Sequence, residues 1–204
     1  MNRLFFVLLL ISAQLIFSQD KQYYKDAVAD CILDSGKDAA MLDDIVNNCI
    51  KNKYLSNYEF TTITGDKIST DAITKPILLV AAATWCAPCW GEIPALNKMV
   101  EKYGDKIEVV MLFWDKQEGV QRMAEKLDKR IMLVASEAEN SDKSTIEING
   151  FVHKLDYPTT YLIAKDKKIV NFKRGAASPS KKMTWEQVNA MNEAQLEEFL
   201  KVIM

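Results

Sequence analysis

The chain is poor in histidine, glycine and proline, and it carries almost no net charge. One His in 204 residues excludes His-rich metal sites and two-His zinc signatures. Seven Gly and five Pro exclude collagen-like and low-complexity disordered chains. With 26 Lys and Arg against 28 Asp and Glu the formal charge is −2, so no broad positive field exists to hold a nucleic acid. No internal repeat is visible. What remains is 49% apolar and 26% charged, the balance of a globular chain. The length fits one domain with extras or two small ones. It can bury roughly two-thirds of its unfolded surface, so neither a metal nor a disulfide is needed merely to fold.

The first apolar run opens the chain. Arg3 precedes the unbroken run Leu4 to Ile11, Leu15-Ile16-Phe17 extends it, and Ser18 is followed by polar Gln19-Asp20-Lys21. A basic end, a short apolar core and a small residue make a secretory signal peptide, read here as residues 1–18. The run is short for a membrane helix, which needs about 20 apolar residues; an uncleaved anchor is the alternative. Cleavage after Ser18 would remove Arg3 and leave a charge of −3. No Cys ends the run, which argues against a lipoprotein. The expected site of work is a periplasm or cell envelope, where disulfides persist.

The four cysteines form two unlike pairs. Cys86 and Cys89 stand in Thr84-Trp85-Cys86-Ala87-Pro88-Cys89-Trp90. A Cys-x-x-Cys serves redox, zinc or haem attachment. Haem attachment needs His next, where this chain has Trp90. A four-thiolate zinc site would need Cys31 and Cys49 as a second knuckle, and they are 18 apart. The flanks favour redox. Ile77 to Ala83 is an apolar run of buried-strand type. Ile93, Leu96, Met99, Val100 and Tyr103 then recur at helical spacing. The pair therefore sits where a strand ends and a helix begins. Unpaired N–H groups and the positive dipole end in that first turn favour a thiolate. Cys86 at the tip is the expected nucleophile, and Cys89, one turn in, the more buried resolving thiol. Pro88 suits a first turn, where its missing N–H costs nothing.

These residues resemble a known family. Trp85-Cys86-Ala87-Pro88-Cys89 after a buried strand is similar to the thioredoxin superfamily, and the continuation Glu92-Ile93-Pro94 resembles its TlpA/ResA-like envelope thiol–disulfide oxidoreductases. Tyr157-Pro158-Thr159 resembles the family's cis-proline, which implies that Pro158 faces the Cys pair and that Tyr157 offers its backbone to a substrate peptide. Tyr58 to Ser69 reads as the hairpin that precedes the catalytic strand. The implied fold is α/β and thioredoxin-like: a central mixed sheet flanked by helices, with an N-terminal hairpin and an insertion before the cis-proline. The domain is read as 56–204, behind a helical N-terminal extension at 19–55. Of the remaining segments, Glu118–Lys129 reads as an amphipathic helix, Glu137–Asn149 as a short helix and Gly150–Tyr157 as loop. Thr184 heads a last helix with Gln187 completing a capping box, and Trp185 and Met191 belong to its apolar face.

The resemblance implies reduction of disulfides in envelope proteins, such as apocytochrome c, with electrons from a membrane thiol donor. No metal, cofactor or nucleic acid is expected, and the chain is expected to be a monomer. Trp85 joins Tyr157 and Pro158 as an expected substrate contact. One departure matters. Thioredoxins carry a buried Asp six residues before the first Cys, and this chain has Val80 there. Glu92, three residues beyond Cys89, becomes the candidate proton acceptor. His153 reads as a lone surface His. Cys31 and Cys49 are candidates for a structural disulfide, although a simple helical hairpin turning at Gly36 would leave them about 10 Å out of register; an electron relay is the sharper alternative. Rival readings are an oxidant of the DsbA kind, a thiol peroxidase (weakened because Thr84 stands two residues before Cys86 rather than three) and a non-catalytic binding module.

Overall fold

Short apolar–polar alternation at 58–69 folds as a hairpin of β1 (Glu59–Thr61) and β2 (Lys67–Ser69), turning at Gly65 with φ 91°. The computed structural model describes residues 21–28, 49–137 and 142–204. Strands and helices then alternate: β3 (Ile77–Ala82), α1 (Ala87–Tyr103), β4 (Glu108–Phe113), α2 (Gln117–Ala124) and β5 (Met132–Ala135). After these come β6 (Ile146–Ile148), β7 (Phe151–His153), β8 (Thr159–Ile163), β9 (Ile169–Arg174) and α3 (Trp185–Leu200). Five strands form one mixed sheet in the order β5-β4-β3-β8-β9, with β3, β4 and β5 parallel and β8 and β9 antiparallel. This is a thioredoxin-like α/β fold. β3 is central and every residue in it is buried, which explains an apolar run without alternation.

Two cores lie on the two faces of this sheet. On one face Leu78, Val80 and Ala82 meet the buried sides of α1, α2 and α3. On the other, Ile77, Leu79 and Ala81 meet Tyr58 and Phe60, Ile146 and Phe151 of the small hairpins, and Tyr24, Val28, Ile50 and Leu55 of the N-terminal segment. Both sheet edges are covered in part. Ile63 N–H donates to Leu133 O at 2.8 Å on β5, and residues 52–55 exchange backbone bonds with β9 and the turn before it. The N-terminal segment is thus part of the domain's second core where it is described. Cys31 lies outside the described residues, as do residues 1–18. Cys49 is disulfide-bonded, and its partner is outside the described residues. Among the described residues no helix is long and apolar enough to cross a membrane.

Three local expectations are corrected. Residues 146–153 are not the end of a helix and a loop, because β6 and β7 form a hairpin there. Its turn is Asn149-Gly150, both at positive φ (48° and 82°), the dipeptide that fits the twist of flanking strands. Trp185 and Met191 lie outside the core, 55% and 40% exposed, because α3 buries Val188, Asn192, Leu196, Phe199 and Leu200 instead. His153 is not at the surface but wholly buried. Its Nδ1 lies 2.7 Å from Tyr161 Oη, whose other neighbour is Tyr24 Oη at 3.1 Å, and Tyr24 donates on to Val152 O at 2.9 Å. On its other side Nε2 lies 2.9 Å from Asp156 O. The ring fills a polar niche inside an aromatic cluster, which a loop assignment hides.

Burial pulls His153 down to about 4, with the nearby Arg174 pushing the same way and the Asp156 carbonyl opposing. Because the folded value is depressed, the neutral ring supports the fold fully above about pH 6.5 and loses that support as pH falls towards 4. The loss over that window is about 3 kcal/mol. Denaturant melts of wild type and His153→Gln across pH 7.5 to 4 should therefore converge as the pH drops, the variant being weaker at neutral pH but flatter. Parallel curves would show that the histidine stays charged or finds water when folded.

Candidate active site

β3 runs directly into α1, and the residue at the junction is Cys86. It is the N-cap of α1, with extended φ and ψ of −87° and 108°. Its Sγ accepts from the backbone N–H of Cys89 at 3.2 Å, the place a Ser or Asp oxygen takes in an ordinary cap. Cys86 and Cys89 are joined as a disulfide with Cα atoms 5.3 Å apart. Cys86 is 6% exposed and Cys89 1%, so the tip sulfur is the more accessible of two largely covered atoms. When that bond opens, the same N–H and the helix N-terminus stabilise negative charge on Cys86.

The turn before Cys86 is held from the next strand. Thr84 N–H donates to Asp115 Oδ2 at 2.7 Å and Thr84 Oγ1 to Asp115 Oδ1 at 2.6 Å. Asp115 follows β4, so both parallel strands end at the Cys pair. Trp90 folds back to donate from Nε1 to Thr84 O at 2.8 Å, which keeps it partly buried. Trp85 points outward, 48% exposed, and its ring meets Trp114 (centroids 5.8 Å) and Tyr157 (5.6 Å) edge to face. Lys143, from the insertion, lies 5.6 Å over the Trp85 ring, and Trp114 Nε1 donates to Asp142 O at 2.7 Å. The insertion therefore borders the Cys pair.

The Tyr157–Pro158 peptide is cis. Register places it: Thr159 pairs with Ala81, so Pro158 stands at the Cys end of β3. Pro158 O accepts from Gly175 N–H at 2.7 Å. Sequence, sheet and aromatic contacts thus gather Trp85, Cys86, Cys89, Tyr157 and Pro158 at one rim.

Glu92 lies one turn beyond Cys89 on α1 and is 1% exposed. Lys173 Nζ grips its Oε1 at 2.6 Å, and Oε2 has no hydrogen-bond partner among the described residues. Burial raises the carboxyl, while the ammonium of Lys173 pulls it back down. A buried carboxylate with one unclaimed oxygen can take a proton.

α1 is clamped at the same level. Pro94 lacks the N–H that residue 90 would otherwise receive. Asn192 of α3, wholly buried, donates to Gly91 O (2.8 Å) and Ala177 O (3.0 Å) and accepts from Ala177 N–H (2.8 Å). Asp115, Lys173 and Asn192 escape a reading of the sequence alone. Only Asp115 left a signal there, as an acid closing a parallel strand beside the catalytic one. Among the described residues no group of three His, Cys, Asp or Glu side chains could hold a metal.

A profile of the AhpC/TSA family matches residues 46–172. The chain is 33% identical over 111 residues to the thioredoxin-like protein YneN of Bacillus subtilis (strain 168), spanning 52% of this chain and 61% of that one. It is 32% identical over 121 residues to the thiol-disulfide oxidoreductase ResA of Bacillus cereus (strain ZK / E33L), spanning 58% and 66%. The matched stretch thus covers just under two-thirds of these relatives. A crystal structure assigned as a thiol:disulfide interchange protein DsbE from Chlorobium tepidum superposes with a TM-score of 0.53 at 19% identity, over 74% of this chain and 95% of that one. A solution structure assigned as a protein disulfide isomerase from Bacteroides thetaiotaomicron gives 0.52 at 20%, over 74% and 90%. At these identities the two structures speak to the fold.

The clamp on α1 leaves no room at Gly91, where an added Cβ would overlap the Ala177 carbonyl oxygen. Gly91→Ala should cost about 1–3 kcal/mol by overpacking, read as a lower urea midpoint. An unchanged midpoint would mean that the 175–180 loop yields freely.

Proposed function

The chain belongs to the AhpC/TSA family, and from that premise and the Cys86 cap geometry we propose that it is an exported thiol–disulfide oxidoreductase that reduces disulfides of envelope proteins. Apocytochrome c is the kind of client this reading has in view, with a membrane thiol donor restoring the dithiol. The observation that carries the reading is the Cys86–Cys89 disulfide at the N-terminus of α1, with Cys86 Sγ accepting from Cys89 N–H. The relatives named as thiol-disulfide oxidoreductases support the same chemistry. Export rests on the sequence pattern of residues 1–18.

Two electrons pass from the protein to the client in each cycle, with one proton from Cys89 and one from solvent. The Cys86 thiolate attacks a substrate sulfur, forms the mixed disulfide and expels the first substrate thiolate. Cys89 loses its proton to Glu92 and attacks Cys86 Sγ. The Cys86–substrate bond breaks, the second substrate thiolate leaves, and the protein is left with the Cys86–Cys89 disulfide. Both substrate thiolates take up protons, so the client ends as a dithiol. Trp85, Tyr157 and Pro158 form the rim on which the substrate chain lies, the exposed Trp85 face supplying apolar contact.

Direction depends on potential, because 30 mV shifts the exchange by about 1.4 kcal/mol. A reductase should equilibrate with glutathione or dithiothreitol near the thioredoxin value of about −270 mV. A value near −120 mV would turn the assignment into an oxidant of the DsbA kind. Two variants test the roles. Cys89→Ser should trap a mixed disulfide with a client, and Cys86→Ser should abolish turnover. Full function of Cys86→Ser would replace the enzyme by a binding module. Peroxide consumption that outpaces disulfide reduction would make it a thiol peroxidase.

A further inference from the structure

The buried polar groups around Glu92 have more members than the reaction above uses. Lys173 of β9 pairs with Thr160 of β8, and Thr160 pairs with Val80 of β3. Cross-strand partners share a face. Val80 belongs to the core that packs on α1, so Lys173 and Thr160 point to the same side as Glu92. The Lys173–Glu92 contact confirms that direction. Thr160 is 1% exposed and its hydroxyl, like Glu92 Oε2, has no hydrogen-bond partner among the described residues.

Lys173 is placed to do two things at once. Nζ holds Glu92 Oε1 at 2.6 Å and donates to Gly175 O at 2.7 Å. Gly175 N–H in turn holds Pro158 O. One ammonium thus ties the helix that carries the cysteines to the turn that carries the cis-proline. Its side chain is only 14% exposed, so water does little to screen the pair.

We propose that Lys173 is a positioning residue for the proton transfer from Cys89, fixing Glu92 by one oxygen so that the other receives the proton. This rests on the oxidoreductase reading and assigns it a residue outside the Cys-x-x-Cys motif. In the step itself the Cys89 S–H bond breaks and its proton goes to Glu92 Oε2. The thiolate then forms the bond to Cys86 Sγ, and the substrate sulfur leaves with the electron pair of the broken bond.

The electrostatic logic requires a cation. A carboxyl buried this deeply without one would stay protonated near neutrality and could accept nothing. Among the described residues the charged contact of Glu92 is Lys173 of β9. The neighbours that β3, β8 and α3 bring to this side of the sheet, Val80, Thr160 and Asn192, are uncharged. Among the described residues, Lys173 is the charged group that acts on Glu92.

The test uses the full reduced chain and 5,5′-dithiobis(2-nitrobenzoate). Attack by Cys86 releases the first thionitrobenzoate and resolution by Cys89 the second, so two phases separate the cysteines. Lys173→Met should slow the second phase at pH 7 about tenfold or more and move its midpoint up by at least one pH unit, a factor of ten per unit. The first phase should stay within twofold. Lys173→Arg should restore most of the second phase, and Glu92→Gln should slow it without the Glu92 ionisation. The carbon-13 shift of the Glu92 carboxyl, titrated in the oxidised protein, gives an independent reading and should also move upward in Lys173→Met. Lys173→Gln replaces Lys173→Met if the latter does not fold. A second phase in the neutral variants that overlays wild type, or slowing that Lys173→Arg fails to relieve, overturns the role of Lys173. Absence of a first phase in wild type would instead sink the oxidoreductase reading.

Discussion

A fully buried strand that ends one turn before a helix leaves a residue to cap that helix, and here the residue is Cys86. The rest of the site depends on that junction. A cap must accept from the backbone N–H groups of the first turn, which otherwise go unpaired. Sulfur does so weakly as a thiol and well as a thiolate, so the architecture that starts the helix also favours the reactive form. The location follows from topology. β3 is the middle strand, flanked by parallel β4 and antiparallel β8, and its end is reached by the end of β4 and the start of β8 together.

A junction this exposed to leverage has to be held on several sides. Asp115 ties down the residue two before Cys86, with two short bonds to Thr84. Asn192 and Gly91 press α1 onto the 175–180 loop, where even a methyl group does not fit. Lys173 links α1 to the Pro158 turn. Each fastener comes from a different strand, helix or loop. The cysteines are thus fixed relative to the rim that would receive a substrate, which is what keeps reacting atoms aligned.

The legibility of the chain follows from these geometries. Cys86, Cys89 and Pro158 were readable because each stands in a short local motif, and the strand-to-helix change around 83–87 shows as a change of apolar period. The β6–β7 hairpin was missed although Asn149-Gly150 marked its turn, because the strands are only three residues long and follow a polar stretch. His153 was misplaced for a related reason: its partner Tyr161 lies on the next strand, and Tyr161 is held in turn by Tyr24, 137 residues before it in the chain. Lys173 was unreadable for a sharper reason. A bulge opposite Leu162 and Ile163 shifts the register of β9, so counting by two from Ile169 puts Lys173 on the wrong face. The structure puts it on the α1 face, against Glu92.

The position of the buried acid is the remaining piece. Where thioredoxins place an Asp on the catalytic strand, this chain has Val80, and its acid sits instead on the helix at Glu92. A carboxylate on the strand would project from the middle of the sheet. One on the helix, three residues beyond Cys89, is carried by the same rigid body as the thiol whose proton it would take. Moving the acid to the helix leaves a buried charge that needs an opposite charge nearby, and the sheet supplies it from β9 rather than from β3. Buried ion pairs rarely add net stability over well-packed apolar residues of the same size. Stability alone therefore gives little reason for the Glu92–Lys173 pair, one turn along the helix from Cys89, whereas the proton transfer proposed for Glu92 requires it.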